Sequence, residues 1–174
     1  APMVGFQQHN RYHAYDVYEH TARCVEAAPP QPVVRLTVLL HDVGKPSCFT
    51  MDAEGVGHFY GHQAAGAAMV RGILERLRLP TRTVEAVERL VIYHDVQIEP
   101  RENRIRRWLN RLGEEEFRWL LEVKRADILG QNPALKDRVA DIEELSRLTD
   151  KVIAEKQCFS LKDLQVNGHD LMAL

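Results

Sequence analysis

Four histidines and two aspartates of this chain fall on the apolar faces of its amphipathic segments, and that placement constrains the fold more than any other feature. His20 continues the stripe Val17, Cys24, Ala27, and His41 follows Val34 and Val38. His62 opens the stripe Gly66, Met69, Ile73, Leu77; His94 closes Val84, Val87, Val91; Asp127 follows Leu120 and Val123. These spacings point each polar group toward the core side of its own helix. A single buried histidine with a hydrogen-bond partner would be ordinary. An unpaired buried carboxylate is very costly, and each unsatisfied imidazole costs ~1–3 kcal/mol. A shared metal centre would satisfy His20, His41, Asp42, His62, His94 and Asp127 together. His41 and Asp42 are adjacent, and Gly44 breaks their helix directly afterwards, so both could turn toward one ion at the helix end.

Periodicity and punctuation predict seven helices. They run from Tyr15 to Ala28, stopped by Pro29-Pro30, and from Pro32 to Gly44. They continue from His62 to just before Pro80, from Thr81 to His94, and from Glu102 to Leu112, closed by Gly113. The last two run from Glu114 to Leu129 and from Ala134 to Lys156. Between the second and third, Cys48-Phe49-Thr50 and His58-Phe59-Tyr60 flank Asp52-Ala53-Glu54-Gly55, which predicts a small β-hairpin. Ser160 with Asp163, then Asn167-Gly168, predict a short C-terminal helix. The expected fold is therefore all-α: a helical bundle with a small β-hairpin insertion.

Composition narrows the setting. The chain has 174 residues, which suits one domain, and 45% of them are hydrophobic, enough for a core without disulfide staples. With 25 acidic and 23 basic side chains, net charge argues neither for nor against a nucleic-acid partner. Cys24, Cys48 and Cys158 are far apart, which disfavours a disulfide framework or zinc knuckle and favours a reducing compartment. No apolar run approaches the ~20 residues a membrane span needs. A cytoplasmic location without a membrane partner is the expectation.

The order His20, His41-Asp42, Asp127 resembles the H…HD…D signature of the HD superfamily of metal-dependent phosphohydrolases. His62 and His94 fall where two-metal members of that superfamily place extra histidines. Longer stretches are similar to the HD domain of bacterial tRNA nucleotidyltransferases, the CCA-adding enzymes and their poly(A)-polymerase relatives. These are residues 15–21, 41–46, 57–62 and 126–133, with Leu161-Lys162-Asp163-Leu164 and Val166-Asn167-Gly168 near the end. The resemblance implies an HD domain over residues 1–156. Residues 157–174 are then a short helical extension, read as the start of a following module. It also implies one metal ion on His20, His41, Asp42 and Asp127, and a second on Asp42, His62 and His94 with Asp42 as the bridge. The glycine-serine motif and paired aspartates of the nucleotide-adding head are not found, so the chain is expected to be the HD part of a longer enzyme or a free-standing relative.

Imidazole and carboxylate ligands without thiolate suit Mn, Fe, Ni, Co, Zn or Mg without choosing among them. The expected cofactors are one or two such ions, and the expected chemistry is hydrolysis of phosphate esters of nucleotides or RNA ends, 2′,3′-cyclic phosphates included. Asp42, Lys45 and His62 are the candidate catalytic residues. Lys45, just past Gly44, could reach a phosphate oxygen as a point charge or be a solvated loop lysine. His62, at a helix start, could instead bind phosphate. Asp95 could orient His94 or face solvent. Arg104, Arg106 and Arg107 lie on an arginine-rich helix with Trp108; they are candidate RNA contacts or simply a solvated face. Phe49, Phe59 and Tyr60 could stack a base at a pocket rim or pack the hairpin. His9, His13, His58 and His169 receive no role. Two further readings stand beside the phosphohydrolase: a tRNA-binding arm for a separate nucleotidyltransferase head, and a di-iron oxygenase.

Overall fold

The computed structural model describes residues 2–155. They form a bundle of six helices carrying one two-stranded hairpin: α1 (Val17–Ala27), α2 (Pro32–Leu40), α3 (His62–Arg76), α4 (Thr81–Tyr93), α5 (Glu102–Gly130) and α6 (Val139–Ala154). The expected extension over 157–174 lies outside the described residues.

Helix ends follow their local chemistry. The Asp16 carboxylate accepts the Glu19 N–H at 2.7 Å and starts α1, two residues later than Tyr15. Gln31 caps α2 through the Val34 N–H at 3.0 Å, with Pro32 in the first turn. α2 ends at Leu40, short of the expected Gly44, and the chain passes through a turn into a 3₁₀ segment at Lys45–Ser47. The two helices expected on either side of Gly113 are one continuous element, α5, kinked where Gly113 takes φ 75°. The seventh expected helix begins at Val139, because Leu135 leaves helical geometry (φ −113°, ψ 18°) and the residues after Pro133 form a 3₁₀ turn.

α2 is the central helix, packing on α1, α4 and α5; α3 lies against α4, and α6 against α5. The larger core joins Val70, Leu74, Val87, Leu90, Val91, Ile105, Phe117 and Leu120. A smaller one, of Cys24, Ala28, Val34, Val38, Val123 and Ala126, fills the space between α1, α2 and α5. The predicted stripe of α3 is off by one position. Gly66, Val70 and Leu74 face the core, whereas Met69 and Leu77 are exposed, since the apolar face winds from His62 through residues 66, 70 and 74. The hairpin pairs β1 (Thr50–Met51) with β2 (Gly57–His58), antiparallel, with Thr50 opposite His58. Phe59 and Tyr60, expected in the second strand, lie just beyond it.

Candidate metal centre

The C-terminal ends of α2, α4 and α5, the middle of α1 and the first residue of α3 meet at one end of the bundle, and they carry the six residues singled out by the sequence. His20, His41, Asp42, His62 and His94 are all at least 95% buried. Asp127 keeps a 17% exposed side chain at the floor of an open cleft of about 700 Å³.

Every one of the four imidazoles presents Nδ1 to a main-chain carbonyl. His41 Nδ1 lies 2.7 Å from the Val38 oxygen, His94 Nδ1 2.7 Å from Val91, His62 Nδ1 2.8 Å from Phe59, and His20 Nδ1 3.1 Å from Gly130. A carbonyl only accepts, so Nδ1 carries the hydrogen, and in the neutral ring Nε2 is left with its lone pair. All four Nε2 atoms turn inward. His20 and His41 Nε2 are 3.2 Å apart, and His62 and His94 Nε2 are 3.3 Å apart.

Asp42 stands between the two pairs. Its Oδ2 is 3.4 Å from His20 Nε2 and 3.2 Å from His41 Nε2; its Oδ1 is 3.7 Å from His62 Nε2 and 3.8 Å from His94 Nε2. Asp127 Oδ1 joins the first pair, 3.1 Å from His20 and 3.6 Å from His41. Neither buried oxygen of Asp42 makes a hydrogen bond. The Lys45 ammonium lies 2.7 Å from Oδ2, but in a direction that makes an ion pair only. Two ligands each ~2.1 Å from one ion stand ~3.0–3.4 Å apart in octahedral or tetrahedral geometry, close to the separations here. The donor set could therefore hold a dication, with Asp42 standing between the two histidine pairs.

Protons and metal compete for these donors. Burial alone would push His20 and His41 down. Asp127 and Asp42 outweigh it, holding His20 well above its ordinary value and His41 up to about 10. Burial likewise opposes ionisation of both carboxylates. The His41 and Lys45 charges nevertheless keep Asp42 well below the carboxylate range, and hydrogen bonds from His20 and His41 do the same for Asp127. His94, buried and beside His41, is pushed down to about 3.

Residues that the sequence alone does not assign to the site complete it. Gln8, 1% exposed, accepts from Lys45 Nζ at 2.8 Å. His13 sits edge-on to His20, ring centroids 4.9 Å apart, with Nε2 3.3 Å from Lys45 Nζ. Both come from the irregular segment before α1, where no stripe could reveal them. Gln131 donates to Asp127 Oδ2 at 2.9 Å and accepts from Arg138 at 2.8 Å. Cys24 Sγ lies 3.6 Å from both ring nitrogens of His20, close enough to complete a donor cluster with His20, His41 and Asp127. Lys124 is buried behind His94 and donates to the His94 and Val96 carbonyls at 2.7 and 2.6 Å.

Lys45 lines the cleft and is buried, not a solvated loop lysine. Asp95 faces solvent and accepts from Gln63 at 3.2 Å, while Val91 orients His94. The three candidate RNA arginines stay away from the cleft wall. Arg104 pairs with Glu99 at 3.5 Å and Arg106 with Glu102 at 2.9 Å; Arg104 and Arg107 are exposed.

A family model described as HD domain matches residues 11–132. The chain is 36% identical over 109 residues to the A-adding tRNA nucleotidyltransferase of Deinococcus radiodurans, covering 59% of this chain and 25% of that protein. It is 36% identical over 117 residues to the CC-adding tRNA nucleotidyltransferase of Thermus thermophilus, covering 64% and 27%. It is 31% identical over 141 residues to the Multifunctional CCA protein of Nitrosococcus oceani, covering 75% and 34%. The chain thus spans a quarter to a third of these relatives' length.

Proposed function

The chain belongs to the HD domain family, and from that footing we propose that it is a divalent-metal-dependent phosphohydrolase acting on nucleotides or RNA-end phosphates, 2′,3′-cyclic phosphates among them. One observation carries the reading: four inward-facing Nε2 atoms surround a buried carboxylate whose oxygens make no hydrogen bond, at the floor of an open cleft. His20, His41, Asp42 and Asp127 would hold one ion, and Asp42, His62 and His94 a second. Bound dications supply positive charge to a phosphate and bring the pKa of water near neutrality.

The remaining work falls to the chain's own groups. The carbonyls of Val38, Val91, Phe59 and Gly130 hold the four Nδ1–H groups and so aim every Nε2 inward before any ligand arrives. Gln131 holds Asp127 by its outer oxygen and leaves Oδ1 facing the histidines. Gln8 steadies the Lys45 ammonium at the cleft floor, where it can meet a phosphate oxygen.

The test is turnover by the isolated chain with Mn²⁺, Co²⁺, Ni²⁺, Zn²⁺, Fe²⁺ or Mg²⁺. The substrates are p-nitrophenyl phosphate, bis-p-nitrophenyl phosphate, 2′-AMP and 2′,3′-cyclic AMP. Asp127→Ala should abolish activity, and Lys45→Ala should raise KM while keeping metal. No activity above the Asp127→Ala background with any pair would overturn the proposal.

The names of the relatives support a second reading, in which this chain is the tRNA-contacting arm of a longer nucleotidyltransferase. Exposed Arg104 and Arg107, with Arg106, would then meet the RNA backbone. Loss of tRNA binding in the triple alanine variant, with no esterase activity in the parent, would favour it.

A further inference from the structure

The aromatic residues of the hairpin divide into two kinds. Phe49 packs edge-on against Phe6 with centroids 5.4 Å apart, and Phe59 lies 5.5 Å from Phe49, so these two hold the hairpin down. Tyr60 leaves 78% of its surface open. Its orientation is nevertheless set. The His58 ring lies parallel to it, 7° between planes and 5.3 Å between centroids. His58 Nε2 is 2.7 Å from the Asp52 carboxylate and so carries the hydrogen; Nδ1 then accepts from the Tyr60 hydroxyl at 3.3 Å. Asp52 is itself fixed by accepting the Glu54 and Val56 N–H groups in the hairpin turn. Turn chemistry therefore aims an open aromatic ring, and part of the rotamer freedom that ligand contact would remove is already lost.

Tyr60 precedes His62 by two residues, which places their Cα atoms within ~7 Å. Both line the cleft that has Asp42, Lys45 and Asp127 at its floor. The geometry points to Tyr60 as the stacking platform for the nucleobase of a nucleotide whose phosphate sits at the histidine–aspartate centre. This rests on the proposed phosphate-ester chemistry for the position of the phosphate, and it adds the part of the substrate which that chemistry leaves open. Stacking accepts any base, because every base has a π-face, so the platform selects nucleotides over other phosphate esters without selecting one base.

The experiment uses the Mg²⁺- or Zn²⁺-loaded chain with two probes, 2′-AMP and glycerol 2-phosphate, the second having no base. The Tyr60 ring protons should shift upfield with 2′-AMP and stay in place with glycerol 2-phosphate. In Tyr60→Leu the ratio of kcat/KM for 2′-AMP over glycerol 2-phosphate should fall roughly 5- to 150-fold, through KM, which is the range a single base–aromatic stack carries. Tyr60→Phe and Tyr60→Trp should restore it. Hydrolysis of 2′-AMP with no ring shift, or with the ratio intact in Tyr60→Leu, overturns the platform and leaves the hydrolase reading standing. A 2′-AMP-specific ring shift without hydrolysis of either probe supports the platform and makes 2′-AMP a ligand, not a substrate. Absence of both overturns the platform, and the hydrolase reading then rests on the wider panel of metals and esters given above.

Discussion

Gly44 and Gly66 pack backbone to backbone where the turn after α2 meets the first turns of α3. A methyl group on Gly44 would stand 2.7 Å from the Gly66 nitrogen and would collide with the His62 carbonyl. The contact holds Asp42, two residues before Gly44, within reach of His62, so a backbone approach sets the spacing between the two halves of the centre. Gly44→Ala should lose ~1–3 kcal/mol of stability, as overpacking does when the obstructing atoms are main chain and cannot rotate away. Metal held through His62 should weaken with it. Urea denaturation and elemental analysis of the same preparation check this, and wild-type values in both would rule the contact out as a spacer.

Asp42→Ala should empty both halves of the centre, because this carboxylate faces all four histidines. The wild-type chain is expected to hold about two ions and the variant none. His62→Ala should weaken only the second. If His62→Ala keeps both ions while KM for a phosphate ester rises, His62 contacts phosphate and the division of ligands proposed above is wrong at that residue.

The metal-stripped chain should be most stable near pH 6.5. His94 and His13 are held down to about 3, His94 by burial and the His41 charge, His13 by burial and the Lys45 charge. Between 6.5 and 3 the unfolded chain binds protons that these folded rings refuse, so stability falls as pH drops through that window. His41 works in the other direction. Raised to about 10, it contributes stability that is fully present below 6.5 and is lost as pH climbs toward 10. Thermal melts across pH 4–10 with a chelator would show a maximum between the two limbs; a steady rise from pH 6.5 to 9 would contradict it. Metal should flatten the basic limb, since an ion takes the place of the proton on His41.

Lys124→Met tests the support behind His94. The buried ammonium, which burial pushes down to about 8, gathers the His94 and Val96 carbonyls at the end of α4. Without it two carbonyls lose their donor, at a cost of ~1–3 kcal/mol. The affinity of the second metal position should fall ~10–100-fold, the usual effect of removing a group that holds a ligand from behind. Isothermal titration with Zn²⁺ or Mn²⁺ on the variant measures both positions, and an unchanged second affinity would show that His94 is held in place without Lys124.

What could be read from the sequence follows from what repeats along it. His20, His41, His94 and Asp127 sit on helices whose 3.6-residue period shows which side faces inward, and the structure brings all four together. α3 was harder to read. Met69, Ile73 and Leu77 look like a stripe, yet Val70 and Leu74 fill the core, because Gly66 and Ala67 carry little side chain to mark the true face. Gln8 and His13 lie on irregular backbone, where spacing carries no direction, and their place at Lys45 depends on tertiary contacts alone. Lys124 lies on α5 with nothing in its spacing to mark it as buried, and only the His94 and Val96 carbonyls at the end of α4 explain its burial.

The segment before α1 is tied down at three places. The Gly57 N–H meets the His9 carbonyl at 2.9 Å, the Asn132 N–H meets Tyr12 at 2.9 Å, and the Asn132 side chain meets Arg11 at 3.1 Å. These ties link the hairpin to the far end of α5, and Gln8 and His13 flank them on either side. A fragment trimmed to begin at Asp16 would therefore keep every helix, the cap of the first, and all six donors, yet leave the Lys45 ammonium without its amide partner and the hairpin without its mooring. The structural boundary of this centre lies upstream of the first helix.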